Sequence, residues 1–375
     1  MVGIRFTTNG FLRGTFLFLL LCSTAFFPAA ALRAATETEL PEAASAGLYR
    51  VKVRSFSWFD HENGRRVPFK MYYPLEPAAR CPIILFSHGL GGSYSDCAYL
   101  GTAWARQGLI SIHLQHLGSD HALWDQRGGL RTLREFRNAY AQCWSGRSRA
   151  EEMRFIIDRL EELVAHDPML AEMLDLDRIG VAGYNLGALA SLLLAGQQPP
   201  DGRESLDDPR VTAVIALGSP INRSPQGFRA AYAGIDSPCL FINGSNDNSI
   251  VGSTTAPQRR IPFDAISENE RFLVTLLGAD HMSYTGRRPL RSSVDTTYYA
   301  TIARLTTSFW RAYLLDDGEA RNDWTTRRPP LGRVGTFERK LSEKRIEQDT
   351  DGELGNMSHF SFPTVRYDDS SPAVE

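Results

Sequence analysis

Three short segments of the sequence place an amide, a carboxylate and an imidazole directly after apolar runs. Asn185 is the centre of the glycine-flanked segment 183–187, Asp247 ends the segment 241–247, and His281 ends the segment 277–281. A hydroxyl at position 185 would complete a catalytic set in which histidine removes the hydroxyl proton and the carboxylate orients the histidine. The amide nitrogen of Asn185 shares its lone pair with the carbonyl, so imidazole does not activate it in this way. The pattern predicts that acyl transfer through residue 185 is lost.

A glycine-rich loop at residues 87–92 follows the first strongly apolar run and adds a second element of the same chemistry. Backbone N–H groups in such a loop bind the negatively charged oxygen that forms during acyl transfer. The position of the loop predicts the amide of Leu90 as one donor. The amide of Leu186, directly after Asn185, is predicted as the other.

The elements that must position these groups alternate between strand and helix. Residues 51–59 and 66–73 alternate with period two and predict an antiparallel pair, and a continuous apolar run predicts a buried strand at 82–86. Ser148 and Glu151 have the spacing of a capping box that starts a helix. Further strands are predicted at 109–114, 178–182, 211–217, 238–243 and 272–277, with helices at 95–107, after the capping box and at 296–314. This order predicts an α/β fold with a mainly parallel sheet and helices on both faces.

These motifs together resemble the α/β hydrolases, and among them the dienelactone-hydrolase-related proteins and platelet-activating-factor acetylhydrolases. The resemblance covers residues 51–315 and depends on residues 87–92, 116–120, 183–187 and 208–210 and on the strand ends at Asp247 and His281. It implies the α/β-hydrolase fold and a carboxylic ester hydrolase that needs no metal and no organic cofactor. It also implies the following roles: Asn185 at the nucleophile position, Asp247 as acid, His281 as base, Leu90 and Leu186 as oxyanion amides, and His88, His116 and Tyr184 as pocket residues.

Three functions are compatible with asparagine at the nucleophile position. The first is a protein that has lost acyl transfer and binds a small ester-like ligand in the pocket. The second is an active hydrolase in which His281, with Asp247, activates water on an ester or lactone. The third requires deamidation of Asn185 to aspartate, which would supply a carboxylate nucleophile. Asp236 and Asp280 are alternatives to Asp247 as the acid.

The two ends of the chain differ in composition from residues 48–315, which are predicted to form the hydrolase domain. Arg5 and Arg13 precede an uncharged run at 14–31 that ends in small residues, so residues 1–31 are predicted to be a signal peptide and the protein to be secreted or periplasmic. A retained membrane anchor is the alternative, and only it would bring the protein to a membrane. Residues 316–375 are predicted to be a polar extension, with a short helix around Phe337.

Charge and cysteine content limit the partners and the cross-links. Lys and Arg number 41 against 43 Asp and Glu, so no basic field favours nucleic-acid binding. Beyond the signal segment lie Cys81, Cys97, Cys143 and Cys239, an even number that predicts one or two disulfides. The alternative is that Cys81 and Cys239 are buried thiols. His113 and His116 are separated by an odd number of positions along a strand and so face opposite sides, which argues against a metal site that includes both.

Overall fold

The computed structural model describes residues 38–39, 48–124, 130–222, 227–267, 269–286, 293–329 and 331–342. The predicted signal peptide and its anchor alternative lie outside these residues. The chain divides into one unit, Met1–Leu341, and a second, Ser342–Glu375, of which only Ser342 is described. None of the described helices combines the length and the hydropathy needed to cross a bilayer.

One mixed, mostly parallel sheet forms the centre of the molecule. Its strands follow the order β1-β2-β3-β5-β4-β6-β7-β8-β9-β10, and β5, β4, β6, β7, β8 and β9 are parallel neighbours. The antiparallel pairs β1–β2, β2–β3, β3–β5 and β9–β10 lie towards the edges. The strands are β1 (Thr38–Glu39), β2 (Val51–Asp60), β3 (Arg65–Pro74), β4 (Cys81–Ser87), β5 (Ile110–Leu114), β6 (Leu174–Tyr184), β7 (Val211–Leu217), β8 (Cys239–Asn246), β9 (Arg271–Asp280) and β10 (Gly335–Lys340).

Helices cover both faces of this sheet, as the strand sequences require. In β4, Ile83 and Leu85 belong to one apolar core while Ile84 and Phe86 belong to the other, because successive side chains of a strand point to opposite faces. The helices are α1 (Ala98–Ala105), α2 (Leu130–Cys143), α3 (Arg147–His166), α4 (Pro168–Met173), α5 (Leu186–Leu194), α6 (Phe228–Tyr232), α7 (Ile261–Ala265), α8 (Ser293–Leu314) and α9 (Gly318–Thr325). Helices α3 and α5 contribute to the first core, and α1 and α8 to the second. The α/β class with helices on both faces is confirmed.

Several local predictions differ from the structure. The capping box is wrong: α3 begins at Arg147 after Gly146, whose φ of 71° turns the chain, so Ser148 lies inside the helix. The helix predicted at 95–107 begins only at Ala98, because Cys97 has a φ of 54°. The helix expected around Phe337 is wrong as well, since Phe337 lies in β10 and pairs with Val274 of β9.

The four cysteines beyond the signal segment are free thiols, so the disulfide prediction is wrong among the described residues. Cys81 and Cys239 are buried, as the alternative of small apolar side chains requires, and Cys97 is buried as well. Burial raises the pKa of the Cys81 and Cys239 thiols to about 12. Both therefore stay protonated at neutral pH.

Candidate active site

Asn185 occupies a sharp strand-to-helix turn, residues 183–187, which we call the elbow. Strand β6 ends at Tyr184 and α5 begins at Leu186. A Cβ on Gly183 would lie 2.2 Å from the backbone carbon of Gly187, and a Cβ on Gly187 would lie 1.9 Å from the backbone oxygen of Ser87. Both glycines are therefore required for helix and strand to approach so closely.

The backbone of Asn185 is strained. Its φ is 54° and its ψ is −118°, which lies outside the left-handed helical region where asparagine is enriched. The preference of asparagine for positive φ therefore does not account for this residue, and such a conformation costs about 1–3 kcal/mol. Two backbone hydrogen bonds hold it: Asn185 N–H donates to Leu217 O at 3.0 Å, and Leu189 N–H donates to Asn185 O at 3.1 Å.

The structure brings the side chains of Asn185, His281 and Asp247 into contact in that order. Nδ2 of Asn185 lies 3.1 Å from Nε2 of His281, and Nδ1 of His281 lies 2.6 Å from Oδ1 of Asp247. An ionised carboxylate only accepts hydrogen bonds, so Nδ1 of His281 carries the proton and Nε2 presents its lone pair. The amide of Asn185 then donates to that lone pair through Nδ2.

Two further side chains hold the carboxylate of Asp247, and no sequence motif indicates either of them. The buried Arg259 places Nε 2.9 Å from Oδ1 of Asp247 and also donates to the backbone oxygens of Gly218 and Ser219 at 2.7 and 2.8 Å. The hydroxyl of Tyr284 donates to Oδ2 of Asp247 at 2.7 Å. Burial, together with the charge of Asp247, raises the pKa of Tyr284 well above its ordinary value, so this hydroxyl stays a donor.

Arg259 also places a positive charge beside the imidazole. Its Nη2 lies 3.1 Å from Nδ1 of His281. Because Nδ1 already donates its proton to Asp247, it does not accept a hydrogen bond from Arg259.

The glycine-rich loop, residues 87–92, packs against the elbow. A Cβ on Gly89 would lie 2.7 Å from the ring of Tyr184 and 3.3 Å from Cβ of Asn185. Among the described residues, the backbone amides of Leu90 and Leu186 have no hydrogen-bond acceptor. Within the described part of the chain, both amides are thus donors without a partner, on segments that meet at the elbow.

The remaining predicted residues separate into two groups. Tyr184 belongs to the elbow: its hydroxyl donates to the backbone oxygen of His281. His88, within the loop, and His116 contact each other instead: the backbone N–H of His116 donates to Nε2 of His88 at 3.1 Å. Both imidazoles are buried.

Neither alternative acid reaches the imidazole. Oδ1 of Asp280 accepts from the backbone N–H of Met282 and the hydroxyl of Ser283, both at 3.0 Å, so it closes its own turn. Asp236 is exposed and precedes β8. The carboxylate that contacts His281 is that of Asp247.

A cleft of about 600 Å³ lies between α1, α8 and α9. Its lining includes Tyr99, Arg106, Arg304 and Asp323 but none of the elbow, glycine-rich loop, Asp247 or His281 residues. The predicted pocket at the elbow is therefore not this cleft.

Comparison with known proteins returned no assignment. No protein-family model matches the chain, and no curated protein matches it.

Proposed function

We propose that this chain is a secreted or periplasmic protein of the α/β-hydrolase fold that has lost serine acyl transfer and binds a small ester-like ligand at the elbow. It is a pseudoenzyme of the carboxylic ester hydrolase type, resembling dienelactone-hydrolase-related proteins and platelet-activating-factor acetylhydrolases. The unpartnered amides of Leu90 and Leu186 are the groups that would bind a ligand carbonyl oxygen.

The hydrogen bond from Asn185 Nδ2 to His281 Nε2, at 3.1 Å, is the observation that supports this proposal. In a serine hydrolase that lone pair of histidine removes the hydroxyl proton. Here the Asn185 amide donates to that lone pair, and residue 185 has no hydroxyl that could attack an ester. Loss of the nucleophile lowers turnover about a millionfold. The remaining site still accelerates the reaction about 10³- to 10⁴-fold over the reaction in water.

The second candidate is an active hydrolase in which His281 removes a proton from water. The oxygen of that water attacks the ester carbonyl, and the proton on His281 then passes to the departing alcohol. The intact 2.6 Å contact between His281 and Asp247 favours this candidate. The Asn185 amide opposes it, because water must displace the amide from Nε2 of His281.

The test measures hydrolysis of p-nitrophenyl acetate by the purified mature protein and by its Asn185→Ser variant. Serine at 185 is expected to raise kcat/KM at least about a thousandfold, because the base and acid are already in place. The double variant Asn185→Ser/His281→Ala is the matched control and should abolish that gain. Peptide mapping of the assayed wild type checks the identity of residue 185. Asparagine at this position would exclude the deamidated form.

Each outcome separates the candidates. Wild-type turnover that His281→Ala abolishes would establish the water-activating hydrolase in place of the pseudoenzyme. An Asn185→Ser variant that folds and shows no gain would contradict a retained hydrolase site altogether.

A further inference from the structure

A hydroxyl, an imidazole and a carboxylate form a second series of contacts, which begins at the first residue of the glycine-rich loop. Oγ of Ser87, the last residue of β4, lies 2.7 Å from Nε2 of His116. Nδ1 of His116 contacts Oε2 of Glu152 in α3. The order matches that of a catalytic triad, yet neither the sequence motifs nor the elbow chemistry uses it.

Burial shows that this series is not a second nucleophile. Ser87 is 0% exposed, His116 2% and Glu152 5%. The backbone oxygen of Ser87 faces Gly187 so closely that even a Cβ there would overlap it. No substrate reaches the hydroxyl in this fold, so its role must be exerted on neighbouring protein groups.

Arg149 connects this series of side chains to two loops. Its Nη1 contacts the backbone oxygen of His88 and lies 3.4 Å from Oγ of Ser87, and its Nη2 donates to Oγ of Ser119 at 2.8 Å. Arg149 is 1% exposed, so these hydrogen bonds form in a poorly solvated environment where an unmade bond is costly. Helix α3 is thereby tied to the glycine-rich loop and to residues 116–119.

The two loops are also tied directly to each other. The backbone N–H of Gly91 donates to Ser119 O at 2.9 Å, and the backbone N–H of His116 donates to Nε2 of His88 at 3.1 Å. Nδ1 of His88 bonds to Gly89 O at 2.7 Å. The residues immediately before and after Leu90 are therefore both fixed through these buried polar groups.

We propose that Ser87, His116, Glu152 and Arg149 form a positioning network that fixes the glycine-rich loop and thereby the direction of the Leu90 amide. The fixing of the loop is independent of the proposed function. Its consequence for ligand oxygen binding rests on that function, because only there does the Leu90 amide act as a donor to a carbonyl oxygen.

Hydrogen exchange of the full-length mature protein, followed by mass spectrometry of a peptide spanning residues 88–92, tests the fixing of the loop. Ser87→Ala removes the hydroxyl between His116 and Arg149 and is expected to speed exchange of the Gly91 and Gly92 amides at least about tenfold. Ser111→Ala is the matched control: Ser111 is also 0% exposed, lies on the neighbouring strand β5, and its hydroxyl has no partner among the described residues. Equal exchange in the two variants would overturn the proposal.

Glu152→Gln is the second variant, in case Ser87→Ala does not fold. It keeps the shape of the side chain and, at pH 8, where Glu152 is ionised, removes the charge that His116 contacts, so the same exchange increase is expected at that pH. Unchanged exchange of residues 88–92 in this variant would overturn the proposal in the same way.

A kinetic comparison then distinguishes positioning from general destabilisation. In the Asn185→Ser background, Ser87→Ala is expected to lower kcat about tenfold or more with KM unchanged, because the oxyanion forms only in the transition state. Ser111→Ala in that background should leave both constants unchanged. Equal kcat in the two double variants would overturn the consequence for the amide, while an inactive Asn185→Ser parent would contradict the proposed function and leave the exchange result to decide the network.

Discussion

Gly187 lies directly against the backbone oxygen of Ser87, and a Cβ on Gly187 would approach that oxygen to 1.9 Å. The first turn of α5 therefore packs on the carboxyl end of β4 at a distance that only glycine permits. The contact matters because it joins the elbow to the strand from which the glycine-rich loop begins.

Gly187→Ala is expected to destabilise the protein by more than about 4 kcal/mol or to prevent folding, because the obstructing atoms belong to the backbone and cannot rotate away. The free energy of unfolding in urea measures the effect. Gly318→Ala is the control, since a Cβ there meets nothing within 4 Å and the residue begins α9. A Gly187→Ala protein as stable as Gly318→Ala would contradict the packing described for α5.

The sequence was sufficient to predict the Asn185, His281 and Asp247 line. Each residue lies within or directly after a strand of the parallel region, and the carboxyl ends of parallel strands lie at one edge of the sheet. The apolar runs that define those strands are local features. Their register in space then follows from the order of elements along the chain.

The partners of that line were not predictable, because distant packing brings them together. Arg259 lies in the short helical turn Pro257–Arg260 with no motif around it, and its guanidinium reaches Asp247 only through the fold. No sequence motif marks Glu152, which contacts His116 from 36 positions away. Strand β10 was missed because Phe337 and its neighbours are half-buried, so their apolar pattern is weak.

The strained backbone of Asn185 predicts an inverted order of two substitutions. Alanine is usually more stable than glycine inside regular structure, but glycine adopts a φ of 54° with a ψ of −118° without the Cβ penalty. Both Asn185→Gly and Asn185→Ala lose the bond to His281, so their difference isolates the strain. Asn185→Gly is expected to be more stable than Asn185→Ala by about 1 kcal/mol or more in thermal or urea unfolding. The opposite order would show that the elbow relaxes.

The hydroxyl of Tyr284 is expected to stabilise the fold through Asp247. Tyr284→Phe removes a 2.7 Å hydrogen bond to a buried carboxylate, which is worth about 1.5–3 kcal/mol. Tyr99→Phe removes a 3.0 Å bond to a neutral backbone oxygen and should cost only about 0.5–1.5 kcal/mol. Urea unfolding of the two variants side by side measures the difference. Equal losses would mean that Asp247 is not held as an anion.

The buried thiols are expected to resist alkylation in the native protein. The thiolate is the reactive form, and burial raises the pKa of Cys81 and Cys239 to about 12. Iodoacetamide at pH 8 should leave both unmodified in the folded protein and modify both in urea, as peptide mass spectrometry would show. Rapid native labelling of either residue would contradict its burial.

The buried pair of Glu152 and His116 makes the stability of a variant depend on pH. Burial raises the pKa of Glu152 to about 7, and burial, with the charges of Arg149 and Arg65, lowers the pKa of His116 well below its ordinary value. The charges of Arg65 and Arg149 lower the pKa of Glu152 and the charge of Asp60 raises it, but burial is the largest effect. As the pH falls below about 6.5, the folded pair therefore holds its proton on Glu152, while the unfolded pair holds its proton on histidine, so the pair adds little slope to the unfolding free energy of the wild type.

Glu152→Gln removes this balance. The folded variant holds no proton at the pair, whereas unfolded His116 binds one as the pH falls below about 6.5, so the variant loses stability towards acid by about 1.4 kcal/mol per pH unit relative to the wild type. Urea unfolding at pH 6.5 and at pH 5 measures the difference in stability between the two proteins, which should widen as the pH falls. If the unfolding free energies of the two proteins change in parallel with pH, Glu152 is not protonated in the folded wild type. Only a protonated carboxyl compensates for the proton that the neutral imidazole lacks.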